Sequence, residues 1–132
     1  MKGRKEHLVP LSDRAIEILQ EAHDRKGAER SSSMIFPSPR GGTFSDVTFS
    51  KLVKKSLGYD VDVHGFRASF RTWAQEKTTF SKEACELALA HVFGDKTRNA
   101  YFQSELLEER AGLLQAWADY LKILSDHHKR GE

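Results

Sequence analysis

The apolar positions of this chain recur mostly at helical spacing, in runs separated by loops. Ala15, Ile18, Leu19 and Ala22 form one such face and predict a helix over residues 13 to about 25. Ser12 is placed to cap it, Asp13 sits where the helix dipole favours a negative charge, and Leu11 and Ile16 are spaced as a hydrophobic staple. Gly27 ends it. A second helix is expected from about Asp46 to Leu57, capped by Ser45, with Val47, Leu52 and Val53 inward and Gly58 closing it. The third covers about Gly65 to Glu76 on a buried stripe of Phe66, Phe70, Trp73 and Ala74. The fourth runs from Lys82 to about Ala90 behind Ser81, with Ala84, Leu87 and Ala88 inward. A short helix is expected over Thr97 to Gln103. The last, about Glu105 to Ser125, has the longest stripe: Leu106, Leu107, Leu113, Leu114, Trp117, Leu121 and Leu124.

Only Glu6 to Leu11 reads as a strand, leaving a basic turn at Lys2-Gly3-Arg4-Lys5. A lone hairpin arm has nowhere to send its backbone hydrogen bonds, so its partner is expected upstream of Met1 and the chain is expected to be a C-terminal piece of a longer protein. Ala28 to Thr43 is a loop in which Met34-Ile35-Phe36 forms an apolar anchor and Pro37, Pro39, Gly41 and Gly42 prevent regular structure. The expected fold is α+β and predominantly helical. It forms one domain over residues 1–125, followed by a disordered polar tail over 126–132.

Length and composition fit that picture. At 132 residues, 39% hydrophobic and 30% charged, the chain is long enough for one buried core and too apolar for disorder. It has no apolar stretch of the roughly 20 residues that a membrane helix requires. Its single cysteine, Cys85, excludes an internal disulfide and fits a reducing cytoplasm, and its neighbours Ala84, Leu87 and Ala88 mark it as a small core residue. A net charge of +2 permits nucleic-acid binding without arguing for it, because a binding face needs clustered charge. Clusters occur at Lys2, Arg4 and Lys5, at Lys51, Lys54 and Lys55, and at Arg67 with Arg71. Each also fits an ordinary solvated face.

The candidate chemistry gathers around His64-Gly65-Phe66-Arg67, followed by His91 and Tyr101. Arg67 offers a planar fork of donors that matches two phosphate oxygens. His64 and His91 titrate near neutrality and can exchange a proton with a phosphate oxygen. Tyr101 becomes a nucleophile where a cationic pocket favours its phenolate, and attack on phosphorus would give a phosphotyrosyl ester. A lysine such as Lys2 can protonate a departing oxygen. Taken singly, each residue has an ordinary role: a helix cap for His64, a helix C-terminus for His91, packing for Tyr101. Tyr120 is a rival nucleophile. A metal-dependent hydrolase built on the histidines is the weaker reading, because His64 and His91 lack nearby carboxylates or cysteines at ligand spacing.

The stretch His64 to Arg67, then Leu89-Ala90-His91, then Arg98-Asn99-Ala100-Tyr101, resembles the C-terminal catalytic domain of tyrosine recombinases, most closely phage and prophage integrases of the P4-like group. Ile35-Phe36-Pro37-Ser38 and the run from Leu106-Leu107-Glu108-Glu109-Arg110 to Trp117-Ala118-Asp119-Tyr120-Leu121 extend the likeness over nearly the whole chain. The resemblance implies a DNA breaking-and-rejoining fold with a small N-terminal β-hairpin remnant. It implies Tyr101 as the nucleophile forming a 3′-phosphotyrosyl bond, and Arg67, His64 and His91 on the scissile phosphate. Lys2, as the hairpin lysine, would serve the leaving oxygen. Arg4, Lys5, Arg71, Lys51, Lys54 and Lys55 are the candidate DNA contacts. No metal or other cofactor is implied. The implied partners are double-stranded attachment-site DNA, further copies of the chain in a tetrameric synapse, and accessory DNA-bending proteins. The last helix is a candidate for docking on a neighbouring copy.

The family's first clamp arginine and its separate DNA-gripping domain have no counterpart in these residues. The chain by itself is therefore expected to be nearly inactive. The alternative function is a non-catalytic DNA-binding or assembly module of a decayed prophage integrase.

Overall fold

Capping side chains and left-handed residues decide where the helices start and stop. The computed structural model describes residues 7–25, 33–91 and 106–131, and among these it contains helices and no strand. In order they are α1 (Asp13–Arg25), α2 (Asp46–Lys51), which continues as a π-helical turn over Leu52–Ser56, α3 (Val63–Lys77), α4 (Lys82–Ala88) and α5 (Leu107–Arg130). The described residues fall into two compact units. One comprises the segment up to Asp13 together with Phe70 onward, and the other is Arg14–Ser69.

The first unit holds the core. Phe70, Trp73 and Ala74 of α3, Cys85 of α4 and Leu113 of α5 are buried together, with Phe80, Ala88, Leu89, Leu114, Ala116, Trp117 and Tyr120 packed against them. Trp73 is central: its ring centroid lies 4.9 Å from that of Trp117, 5.7 Å from Tyr120 and 6.1 Å from Phe70. Truncating it removes the side chain that touches three other rings, so Trp73→Ala is expected to cost about 3–5 kcal/mol. A urea melt followed by far-UV circular dichroism measures this, and a loss below about 1 kcal/mol would contradict the central place given to that ring.

Helix α4 begins as the sequence requires. The Ser81 side chain accepts from the Ala84 amide at 3.1 Å, while the Ser81 amide donates to Glu109 Oε1 of α5 at 2.6 Å. Its other end is a Schellman motif. The Ala90 amide donates to the Leu87 carbonyl at 3.0 Å and the His91 amide to the Glu86 carbonyl at 2.9 Å, with Ala90 in the left-handed region at φ 58°. Glycine has no Cβ penalty there, so Ala90→Gly is expected to stabilise the chain by about 0.5–1 kcal/mol, read as a raised melting temperature.

Several expectations are corrected. The α+β assignment and its β-hairpin remnant do not appear among the described residues. His7 to Leu11 forms no ladder, and the Leu8 carbonyl instead accepts from Arg110 Nη1 of α5 at 2.9 Å. Arg110 is fully buried, and that burial lowers its pKa. The Asp13 amide is likewise taken by Gln115 Oε1 of α5, at 2.9 Å. Residues 1–6, with the basic turn, lie outside the described set, as do Gly27 and the short helix expected over Thr97 to Gln103. Residues 126–130, expected in a disordered tail, continue α5, whose basic last turn complements the helix dipole.

Helix stripes are also less covered than their periodicity suggests. Phe66 of α3 is 54% exposed, and Leu121 and Leu124 of α5 are nearly half exposed. Val47 and Leu52 of the second unit are exposed, and so are the expected staple residues, Leu11 of the first unit and Ile16 of the second. Ser45 directs its hydroxyl to Thr48 Oγ1 at 2.9 Å rather than to a helix amide. The α2 segment widens to a π turn where the Leu57 amide reaches back to the Leu52 carbonyl at 2.9 Å. Gly58 then leaves it at φ 73°.

Candidate active site

The first turns of α3 place His64 and Arg67. The helix starts earlier than Gly65 because Asp62 acts as a cap: its Oδ1 accepts from the His64 amide at 3.2 Å and its carbonyl from the Gly65 amide at 2.9 Å. His64 and Arg67, three residues apart, share one face of the helix and are both exposed. Both belong to the second unit. Ser69 turns its hydroxyl back to the Gly65 carbonyl at 3.0 Å.

In the first unit the structure brings together Arg71, Glu86 and His91. Glu86 of α4 is only 5% exposed, yet both its oxygens are engaged. Oε1 lies 2.6 Å from Arg71 Nη2, and Oε2 meets His91 Nδ1. The Arg71 contact is an ion pair by proximity rather than an aligned hydrogen bond. Arg71 and His91 remain a little under half exposed, so both side chains face solvent as well as the carboxylate. Arg71, a candidate DNA contact on sequence grounds, therefore has an internal partner too. Cys85, next along α4, is buried in the core; desolvation raises its thiol pKa and Glu86 adds to the effect, which leaves little thiolate for chemistry.

Lys51, Lys54 and Lys55 are exposed at the end of α2 and in the π turn. Tyr120, the rival nucleophile, packs its half-buried ring 5.8 Å from Trp117 as well as against Trp73. Tyr101, Lys2, Arg4 and Lys5 lie outside the described residues. Among the described residues, no group of three or more His, Cys, Asp or Glu side chains is placed to hold a metal ion, and no helix is long and apolar enough to cross a membrane.

Sequence reasoning missed Glu86 and Asp62. For Asp62 the signal was present, since an aspartate two residues before His64 is a standard cap. For Glu86 it was not.

Comparison with known proteins decides what this arrangement belongs to. The profile of the phage integrase family matches residues 1–107. The chain belongs to that family. It is 36% identical over 125 residues to the prophage integrase IntA of Escherichia coli (strain K12), covering 92% of this chain and 29% of IntA. It is 34% identical over 130 residues to the integrase of Enterobacteria phage P4, covering 93% and 29%. It is also 34% identical over 125 residues to the integrase of Shigella phage Sf6, covering 92% and 31%. The chain thus spans about three tenths of the length of these integrases. No solved structure matches it.

The family match includes His64, Arg67, Arg71, Glu86, His91, Tyr101 and Lys2 within one continuous span. The paired carboxylate is therefore part of the integrase portion of the chain and not of an appended segment.

Proposed function

We propose that the chain is the catalytic portion of a tyrosine site-specific recombinase, with the DNA breaking-and-rejoining fold, that integrates or excises prophage DNA. The observation that carries this reading is the family match over residues 1–107, a span that includes Lys2, His64, Arg67, His91 and Tyr101. Arg67 binds two nonbridging oxygens of the scissile phosphate through its guanidinium fork. His64 and His91 contact the same phosphate and assist the proton transfers there. The Tyr101 hydroxyl passes its proton to one of these imidazoles, and its oxygen attacks phosphorus. A P–O bond to tyrosine forms, the P–O5′ bond breaks, and Lys2 gives the departing 5′ oxygen its proton. The ester that remains, a 3′-phosphotyrosyl link, retains the energy for rejoining when a 5′-hydroxyl attacks it, so neither metal nor cofactor is required.

Arg4, Lys5, Lys51, Lys54 and Lys55 make backbone contacts that hold register without reading sequence, and the exposed part of Arg71 joins them. Leu121, Ile123 and Leu124, exposed along the end of α5, support docking on another copy in a synaptic oligomer.

The 132 residues contain one of the two clamp arginines of the family pattern, and losing a donor of this kind typically slows a reaction about 10²–10³-fold. Incubating the chain with nicked duplex in chelator is expected to give a slow denaturation-resistant protein–DNA complex. A chain that binds the duplex yet forms no covalent link would overturn the reading.

A further inference from the structure

A buried ionised carboxylate is tolerated only where cations and hydrogen bonds compensate it. Glu86 divides its two oxygens between a guanidinium that stays charged and an imidazole that is partly exposed. We propose that Glu86 is the positioning residue of His91: anchored by Arg71, its carboxylate fixes the orientation and the tautomer of the ring that meets the DNA phosphate. The inference rests on the reading of His91 given above and extends it to a residue that does not touch substrate.

The chemistry follows from donor and acceptor types. An ionised carboxylate only accepts, so the Nδ1 that meets Glu86 Oε2 carries a proton. The tautomer then leaves Nε2 as the nitrogen that can take a proton at the scissile phosphate. Arg71, a donor-only cation, sits against the other oxygen of the same carboxylate. The main chain contributes independently, because the His91 amide donates to the carbonyl of the same Glu86. Ala90, at φ 58°, is the joint that makes this double grip possible. Ring and backbone of His91 are thus both referred to one residue.

The isosteric change Glu86→Gln gives a sharp test. Arg71 is donor-only and claims the amide oxygen, which leaves the amide NH₂ facing His91. Nδ1 must then accept, and the ring proton moves to Nε2. Long-range ¹H–¹⁵N correlation spectra of the full chain report this directly. The expected result is an Nδ1-protonated ring in the wild type and an Nε2-protonated ring in Glu86→Gln. Near-UV circular dichroism of the Trp73–Trp117–Tyr120 cluster serves as the check on folding.

In the covalent-complex assay Glu86→Gln is expected to slow adduct formation about 10–100-fold and to add nothing further in a His91→Ala background. If the variant fails to fold, the wild-type spectrum still decides, since an Nε2-protonated ring there overturns the proposal. If His91→Ala slows the reaction while Glu86→Gln alters neither tautomer nor rate, the positioning role is overturned. If His91→Ala has no effect on rate, the phosphate reading of His91 fails, and the tautomer result alone decides whether Glu86 sets the ring.

Discussion

Tyr101→Phe is expected to abolish the covalent protein–DNA complex, while Tyr120→Phe leaves it at the wild-type rate. The two tyrosines differ in what surrounds them. Tyr120 is half-buried with its ring against Trp73 and Trp117, in the aromatic cluster that holds α3 to α5. Its contribution is packing, and removing its hydroxyl keeps the ring. Tyr101 follows Arg98-Asn99-Ala100 within the span that matches the integrase family. Phenylalanine there has no oxygen to form the ester, so the loss is complete rather than graded. Duplex binding should persist, because phosphate contacts elsewhere provide it. A gel-shift assay beside the denaturing gel separates the two effects, and a covalent complex surviving in Tyr101→Phe would remove Tyr101 from the reaction.

Arg67→Ala is expected to lower the rate of adduct formation about 10²–10³-fold, equivalent to about 2.7–4 kcal/mol of transition-state stabilisation. In the proposed reaction the charge at stake develops on the nonbridging oxygens as the tyrosine attacks, and Arg67 would meet it with a planar fork. Lysine supplies charge without that geometry, so Arg67→Lys should recover little of the loss. Ground-state affinity for duplex should change far less than the rate, because exposed lysines and arginines elsewhere contribute to non-specific binding. Parallel falls in rate and affinity would instead place Arg67 among the ordinary backbone contacts.

Local signals survived the passage from sequence to structure well. Helix α1 spans residues 13–25 as its periodicity requires, and Ser81 caps α4 by the expected hydrogen bond. Phe70, Trp73 and Ala74 are buried where the α3 stripe put them, and Cys85 is a core residue. The failures lie where a third element decides the outcome. A strand at His7 to Leu11 needed a neighbouring strand, but the Leu8 carbonyl is served by the Arg110 side chain more than a hundred residues away. Nothing about Arg110 in a run of charged residues marks it as fully buried. The stripes of α2 and the end of α5 show that periodicity locates an apolar face without saying how much of it is covered.

Glu86 is the clearest case of a site residue that pattern reading cannot find. In a continuous helix, residues five apart point about 140° away from each other, so a glutamate at that distance from His91 looks unrelated to it. The left-handed turn at Ala90 removes that separation and brings carboxylate and imidazole together. Alanine, unlike glycine, gives no warning in the sequence that such a turn will form there. The residues proposed to meet the phosphate are read from their types and order; the contact between Glu86 and His91 is visible only in three dimensions.

The central claim is a tyrosine-linked cut of defined polarity, and end-labelled DNA tests it most directly. A nicked duplex labelled separately on each side of the cleavage position is incubated with the chain in chelator, denatured and digested for peptide mapping. The chain is expected to be joined to the 3′-phosphate side through the peptide containing Tyr101, with a free 5′-hydroxyl on the released strand. Attachment to the 5′ side, or through Tyr59 or Tyr120, would contradict it.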